Sequence, residues 1–214
     1  GVILFDETIR QKTDAGQSLV DLILEAGALP GIKVDKGLAP FNGSDIETLT
    51  QGLDDLDERC KEYAELGAKF TKWRAVINIG NGIPTQECID ANMEALAKYA
   101  KIAQKNGMVP IVEPEVLING NHSIQDCYDA TLRSIKSLFD YLNSYDVDIS
   151  GTILKPNMVT AGSDSEVKSS VEEVANMTIK CLNDSVPDEL PGVAFLSGGQ
   201  TEIESTEHLD KMNK

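Results

Sequence analysis

Short apolar runs alternate with longer, more polar stretches along the whole chain. The runs are rich in valine, isoleucine and leucine, and glycine, proline or asparagine closes each of them, which is the pattern of buried strands. They predict six strands, over residues 1–5, 31–37, 69–79, 108–116, 151–159 and 192–199. Their starts lie 30 to 43 residues apart, which leaves room for one helix after each strand.

The stretches between the runs have the periodicity of helices. Residues 89–107 place apolar side chains on one stripe and end at Asn106 and Gly107, a common helix stop. The stripe consists of Met93, Leu96, Ala97, Ala100 and Ala103. Two capping-box spacings predict later helix starts, Ser170 with Glu173 and Thr201 with Glu204.

Strands that alternate with helices in this way predict a parallel sheet. Such sheets are open and doubly wound or closed into a (β/α)8 barrel, and the chain has no GxGxxG or Walker sequence to favour the open nucleotide-binding forms. The predicted fold is therefore α/β, a TIM barrel, as a single domain over residues 1–214. Only about six of the eight units are present, so we expect an incomplete barrel, an internal piece of a longer protein. Its open edges would make the isolated chain prone to aggregate.

Composition narrows the class of protein. The 214 residues include 19 Lys and Arg against 35 Asp and Glu, a net charge of −16, with 41% hydrophobic residues. These values exclude a disordered chain and a basic nucleic-acid binder. No apolar run reaches the roughly 18 residues of a membrane-spanning helix. The four cysteines form no CxxC pair, which is typical of reduced thiols in a cytosol. We therefore expect a cytoplasmic protein with no nucleic-acid or membrane partner.

Seven charged residues interrupt the predicted strands, where burial on both faces makes a charge costly. They are Lys33, Asp35, Lys72, Arg74, Glu113, Glu115 and Lys155. Six of them form pairs two residues apart, so each pair projects from one face of its strand. All seven are predicted toward the C-terminal parts of their strands, where barrel active sites lie. Each alone could be a solvated strand end or a structural ion pair, but together they predict a site for an anionic substrate such as a phosphate.

Lysine in such a cluster can also act as a nucleophile. Burial or a neighbouring positive charge can lower the pKa of a lysine enough to leave a free amine, which attacks carbonyls. Lys155, with Lys72 or Arg74 nearby, is the candidate amine. Forming and dehydrating a carbinolamine requires a carboxyl group that carries protons, and Glu113 or Glu115 fits this role.

The remaining candidates are a loop and two histidines. Residues 195–200 (FLSGGQ) lead from a predicted strand into a helix, so their backbone N–H groups could bind a phosphate, although an ordinary turn has the same pattern. His122 and His208 are too few for a metal cluster and are expected to face water. Trp73 points away from Lys72 and Arg74 and is expected to pack between sheet and helices.

Five strings in this order resemble one family. GIKVDKG, FTKWR, PIVEPEV, LKPNMV and FLSGGQ are closely similar to class I fructose-bisphosphate aldolase, and the resemblance covers essentially the whole chain. It implies a (β/α)8 barrel, usually a homotetramer, that cleaves fructose 1,6-bisphosphate in glycolysis into dihydroxyacetone phosphate and glyceraldehyde 3-phosphate. The reaction would use a Schiff base on Lys155 and neither a metal nor another cofactor. The family also implies possible cytoskeletal partners.

The resemblance implies a role for most of the candidate residues. Lys155 would be the Schiff-base lysine and Glu113 the acid/base, with Glu115 hydrogen-bonded to the lysines. Lys72 and Arg74 would contact substrate. Lys33 would lie near the 6-phosphate, while Ser197, Gly198 and Gly199 would bind the 1-phosphate. The role of Asp35 stays open.

The departures from the family are omissions. The first strand, with a catalytic aspartate, would precede Gly1, and the last strand and C-terminal tail, with an arginine and a tyrosine, would follow Lys214. We therefore expect an active parent enzyme and an inactive 214-residue piece. Alternatives are transaldolase, deoxyribose-phosphate aldolase and a non-catalytic binding protein. A plastid location and a preference for fructose 1-phosphate also stay open.

Overall fold

A computed structural model describes residues 1–214, which form seven strands and seven α-helices. The strands are β1 (Val2–Leu4), β2 (Pro30–Lys33), β3 (Leu38–Pro40), β4 (Thr48–Thr50), β5 (Phe70–Ile77), β6 (Val109–Val116) and β7 (Ile153–Leu154). The helices are α1 (Asp6–Ile9), α2 (Leu19–Glu25), α3 (Leu56–Glu65), α4 (Gln86–Lys105), α5 (Ile124–Ser144), α6 (Val171–Ser185) and α7 (Glu202–Met212). None of the helices is long and apolar enough to cross a membrane.

Five strands form one parallel sheet in the order β1-β2-β5-β6-β7. The pairing of β5 with β6 is the longest and runs in register from Phe70 opposite Val109 to Ile77 opposite Val116. Helix α4 packs against both of these strands, and α5 packs against β6. This is the α/β architecture of an incomplete TIM barrel, as the alternation of apolar runs predicts.

The core lies between the sheet and its helices. Trp73 of β5 is fully buried there and stacks on Tyr99 of α4, with ring centroids 5.5 Å apart. The hydroxyl of Tyr99 pairs with that of Thr71 at 2.8 Å. The predicted packing role of Trp73 is therefore confirmed, and its neighbours Lys72 and Arg74 project from the opposite face of the strand.

The last two predicted strands are much shorter than expected. The run over 151–159 is a strand only at Ile153–Leu154, because Pro156 has no N–H to donate. The run over 192–199 forms a single parallel bridge, Leu154 with Val193. Three backbone hydrogen bonds still hold it beside β7: Leu154 to Gly192 (3.2 Å), Ala194 to Leu154 (2.9 Å) and Leu196 to Pro156 (3.3 Å). Residues 192–196 thus occupy the sixth position of the sheet without becoming a regular strand.

A hairpin after β2 was not predicted. β3 and β4 pair antiparallel, and the Thr50 hydroxyl donates to the carbonyl of Arg74 at 2.8 Å, which holds the hairpin against β5. The helix predicted over 89–107 is confirmed as α4. Of the two predicted capping boxes, Thr201 with Glu204 is complete, whereas Ser170 accepts the N–H of Glu173 without a return bond.

Candidate active site

The predicted charges meet on one face of the sheet because the strands that carry them are neighbours in parallel register. Lys33 of β2 lies opposite Lys72 of β5, and Arg74 lies opposite Glu113 of β6. Lys155 follows β7 directly, and its N–H donates to the carbonyl of Val112 at 2.8 Å. Lys72, Arg74 and Glu113 lie near the middle of β5 and β6 rather than toward the C-terminal ends, so the prediction of their place along the strands was wrong.

Glu113 is the centre of the cluster. One carboxylate oxygen accepts a hydrogen bond from Lys155 Nζ at 2.6 Å, and the other lies 3.1 Å from Lys72 Nζ. The residue is only 4% exposed, so these two ammonium groups are its charge partners in a site largely closed to water. A carboxylate in this position can exchange a proton with Lys155 directly.

Asp35 lies between Lys33 and Lys72. Its carboxylate lies 2.6 Å from Lys33 Nζ and 3.7 Å from Lys72 Nζ, and it accepts the backbone N–H of Arg74 at 3.3 Å. The sequence left its role open. The structure makes Asp35 the buried anion that joins β2 to β5 within the cluster.

Replacing Asp35 by asparagine is expected to lower the free energy of unfolding by about 3 kcal/mol, because two cations lose a buried counter-charge. Urea unfolding followed by circular dichroism measures this. Asp57→Asn is the matched control, since Asp57 pairs with Lys105 at the surface and its loss should cost much less. Equal losses in the two variants would contradict a central role for Asp35.

Glu115 has a different partner from the expected one. The resemblance implied that Glu115 would accept hydrogen bonds from the lysines, but its carboxylate forms an ion pair with Arg74 instead. Glu115 lies opposite Val76, close to the end of β6, which places it beyond the reach of the lysine cluster. The hydrogen bond to Glu115 raises the pKa of Arg74, whose side chain is 39% exposed.

The glycine loop lies beside the strand end that carries Lys155. Leu196 donates its N–H to the carbonyl of Pro156 at 3.3 Å, and the exposed Ser197 follows immediately. Gly198 and Gly199 have φ angles of 59° and 91°, which side chains other than glycine rarely adopt. The loop therefore turns sharply into the capped start of α7, an arrangement suited to binding an anion.

One residue of this site, Asn157, is uncharged, so the pattern of charged residues in the strands does not predict it. Asn157 is buried; its side-chain oxygen accepts the N–H of Val116 at 3.0 Å, and its amide nitrogen donates to the hydroxyl of Thr131 at 3.1 Å. It thus continues the pairing of β6 with β7 where Pro156 interrupts it. The only signal in the sequence is a polar residue directly after a strand-breaking proline.

Both histidines are buried, so the prediction that they face water was wrong. His122 belongs to the loop that follows β6, and His208 of α7 pairs through Nδ1 with Gln200 Oε1 at 2.6 Å. Each is only 7% exposed. Burial lowers the pKa of both imidazoles.

The buried histidines predict a pH dependence of stability. Because the folded state lowers the pKa of His122, the unfolded chain binds a proton first as the pH falls through about 6.5. The free energy of unfolding should decrease below that pH, by at most about 1.4 kcal/mol per pH unit for each histidine. Urea midpoints between pH 7.5 and 5.5 measure the slope, which His122→Gln should reduce. An unchanged slope in that variant would contradict the assignment.

The cysteines take no part in the cluster. All four are buried and unpaired, and burial raises the pKa of Cys60 and Cys88 to about 11 and that of Cys181 to about 12. These thiols are therefore protonated near neutral pH and are poor nucleophiles. No group of three or more His, Cys, Asp or Glu side chains is arranged to hold a metal ion. The metal-free reaction stays a prediction.

The fold and site define a β/α-barrel protein with a lysine and carboxylate cluster on the inner face of its sheet. The sequence model described as fructose-bisphosphate aldolase class-I matches residues 1–214, so the chain belongs to this family. A probable fructose-bisphosphate aldolase class 1 of Xylella fastidiosa is 53% identical over all 214 residues. Fructose-bisphosphate aldolase 4, cytosolic, of Arabidopsis thaliana is 50% identical over the same residues.

A solved structure has the same fold. The fructose-bisphosphate aldolase of Plasmodium falciparum, crystallised with TRAP and a small-molecule inhibitor, matches with a TM-score of 0.96 and 47% identity, over 99% of this chain and 61% of that one. The chain spans 64% of the Xylella protein and 54% of the Arabidopsis protein.

Proposed function

We propose that the protein carrying this chain is a fructose-bisphosphate aldolase, which reversibly cleaves fructose 1,6-bisphosphate into dihydroxyacetone phosphate and glyceraldehyde 3-phosphate. Membership of the class-I family supports the reaction. The single observation that supports the mechanism is the 2.6 Å contact between Lys155 Nζ and Glu113. It places an amine nucleophile and a proton carrier side by side in a site largely closed to water.

The contact suggests how the nucleophile is made and used. Lys155 passes a proton to Glu113, and the free amine attacks the C2 carbonyl of the ketose to form a carbinolamine. Protonated Glu113 then returns its proton to the carbinolamine hydroxyl, which leaves as water and gives an iminium ion. The iminium withdraws electrons from the C3–C4 bond, which breaks when a base removes the proton of the C4 hydroxyl.

Lys72 has an electrostatic role in this scheme. It lies 3.1 Å from the oxygen of Glu113 that does not face Lys155, so its charge balances the carboxylate without occupying the oxygen that exchanges the proton. We therefore assign Lys72 to catalysis as a fixed cation rather than as a nucleophile.

The remaining charges suit the two phosphates of the substrate. Lys33 and Arg74 have side chains that are 27% and 39% exposed, so their cations can reach an anion at the open end of the site. Ser197, Gly198 and Gly199 offer backbone N–H groups on the side of Lys155. We assign Lys33 to the 6-phosphate end and the glycine loop to the 1-phosphate end, with Arg74 contacting substrate.

In this proposal the reaction needs no metal or added cofactor, because the lysine itself supplies the electron-withdrawing group. We further propose that the enzyme acts in glycolysis in the cytosol as a homotetramer. The Arabidopsis relative, which is named as cytosolic, supports that location.

Borohydride trapping tests the function. The natural-length protein is incubated with dihydroxyacetone phosphate, reduced, digested and mapped by mass spectrometry. We expect the reduced adduct on the peptide that contains Lys155. A folded, natural-length protein that forms no adduct and cleaves neither fructose 1,6-bisphosphate nor fructose 1-phosphate would overturn the proposal. The ratio of the two cleavage rates also measures substrate preference.

A further inference from the structure

Two loops at the same end of the sheet are joined by hydrogen bonds that lie outside any strand. One loop, residues 117–123, follows β6, and the other, residues 160–164, follows the segment that carries Lys155. Three consecutive amides of the second donate to carbonyls of the first: Gly162 to His122 (2.9 Å), Ser163 to Ile118 (2.7 Å) and Asp164 to Gly120 (2.9 Å). We call this pair of loops the rim latch.

The rim latch requires a glycine at position 162. A Cβ atom there would lie 2.1 Å from the carbonyl oxygen of Gly120, 2.7 Å from its carbon and 3.0 Å from the nitrogen of His122. These are backbone atoms, which cannot rotate away as the end of a flexible side chain can. The φ angle of Gly162 is not in the left-handed region, so the requirement comes from the close approach of the two loops alone.

The latch continues the connection between β6, which carries Glu113, and β7, which Lys155 follows directly. Strand pairing joins them at Ile111 with Ile153, and the Asn157 side chain joins them again at Val116. The latch adds a third connection, beyond both strand ends. A contact of 2.6 Å between side chains of different strands depends on the separation of those strands, because proton transfer weakens steeply with distance.

The same latch lies against the glycine loop. A Cβ atom on Gly199 would be 3.1 Å from Cγ2 of Ile118, so Ile118 packs closely on that loop. Ile118 contacts the loop of Ser197, Gly198 and Gly199 through its side chain, whereas the three backbone bonds of the latch directly join the segments that follow Glu113 and Lys155.

We propose that Gly162 is a positioning residue that closes the rim latch and so holds Glu113 at proton-transfer distance from Lys155. This inference rests on the proposed function. It predicts that adding one methyl group at position 162 slows the chemical step more than it weakens substrate binding. The methyl group acts through the separation of the two loops, since Gly162 itself touches neither reacting group.

The test compares Gly162→Ala with Gly192→Ala in the natural-length protein. Gly192 is the matched control because it also lies beside β7, has no φ in the left-handed region and has no atom within 4 Å of an added Cβ. We expect Gly162→Ala to lower kcat at least about tenfold, to change KM less than about threefold, and to slow borohydride trapping by the same factor as kcat. Gly192→Ala should stay within about twofold of the unaltered protein.

Hydrogen exchange separates this role from a general loss of structure. The amides of residues 162–164 should exchange faster in Gly162→Ala, while those of β5 and β6 stay protected. Faster exchange at the latch with kcat equal to that of Gly192→Ala would overturn the proposal, as would unchanged exchange. If Gly162→Ala does not fold, Ile118→Ala replaces it in the test and the same threshold for the loss of kcat applies. This variant removes a side chain of the latch without adding a clash.

Failure of the proposed function is distinguishable from failure of this inference. An unaltered protein that neither traps an adduct nor cleaves substrate overturns the function, and the catalytic role of Gly162 with it. An active unaltered protein whose Gly162→Ala variant is equally active overturns the positioning role alone.

Discussion

Replacing Lys155 by methionine is expected to abolish adduct formation with dihydroxyacetone phosphate and to lower kcat about 10⁴-fold or more, because no other group can form the Schiff base. Methionine has nearly the same length as lysine and no amine. The side chain of Lys155 is 22% exposed, so an apolar replacement is tolerated there. Glu113 keeps Lys72 as its counter-charge, and we therefore expect the variant to fold.

The matched control is Lys105→Met. Lys105 is a surface lysine at the end of α4 that pairs with Asp57, and its side chain is 66% exposed. This variant should keep its full rate and its adduct. Both are assayed with fructose 1,6-bisphosphate and by borohydride trapping, after circular dichroism shows that they are folded. A Lys155→Met protein that still cleaves substrate at a tenth of the normal rate would exclude Lys155 as the nucleophile.

The convergence of the charged residues could be predicted from the sequence for a simple reason. Side chains two residues apart share a face of a strand, and parallel strands that are adjacent bring those faces together. The pairs at 72 and 74 and at 113 and 115 therefore share one face of two neighbouring strands, and Lys33 lies opposite Lys72 at the end of the next strand. Local periodicity was enough for this, and it also predicted Trp73 on the opposite face.

The pairing within the cluster could not be predicted in the same way. Which cation meets Glu115 depends on side-chain rotamers as well as on register. Register places Arg74 opposite Glu113, yet the Arg74 side chain pairs diagonally with Glu115. The burial of His122 depends on the contact between two loops. Loop sequences have no hydrophobic periodicity from which such a contact could be predicted. The segment 192–199 looked like a strand because it is apolar, but only part of it has a neighbour to bond to.

Replacing Glu113 by glutamine is expected to lower kcat by about 10² to 10⁴-fold, since the amide cannot accept the proton of Lys155 or return it to the carbinolamine. Glutamine has the same shape, so the loss is one of charge and proton transfer rather than of packing. Adduct trapping should slow by a similar factor, because both the formation of the free amine and the loss of water use this group.

The same change should also reduce stability, and the two effects can be separated. Lys72 and Lys155 would face each other without a carboxylate between them, which we expect to cost about 3 kcal/mol of unfolding free energy. Glu113→Asp keeps the charge and should restore most of this stability, but its carboxylate is one methylene farther from Lys155, so the rate should recover only partly. Glu94→Gln removes a half-exposed surface carboxylate and serves as the control for both assays. A Glu113→Gln enzyme with normal kcat would show that protons reach the carbinolamine by another route.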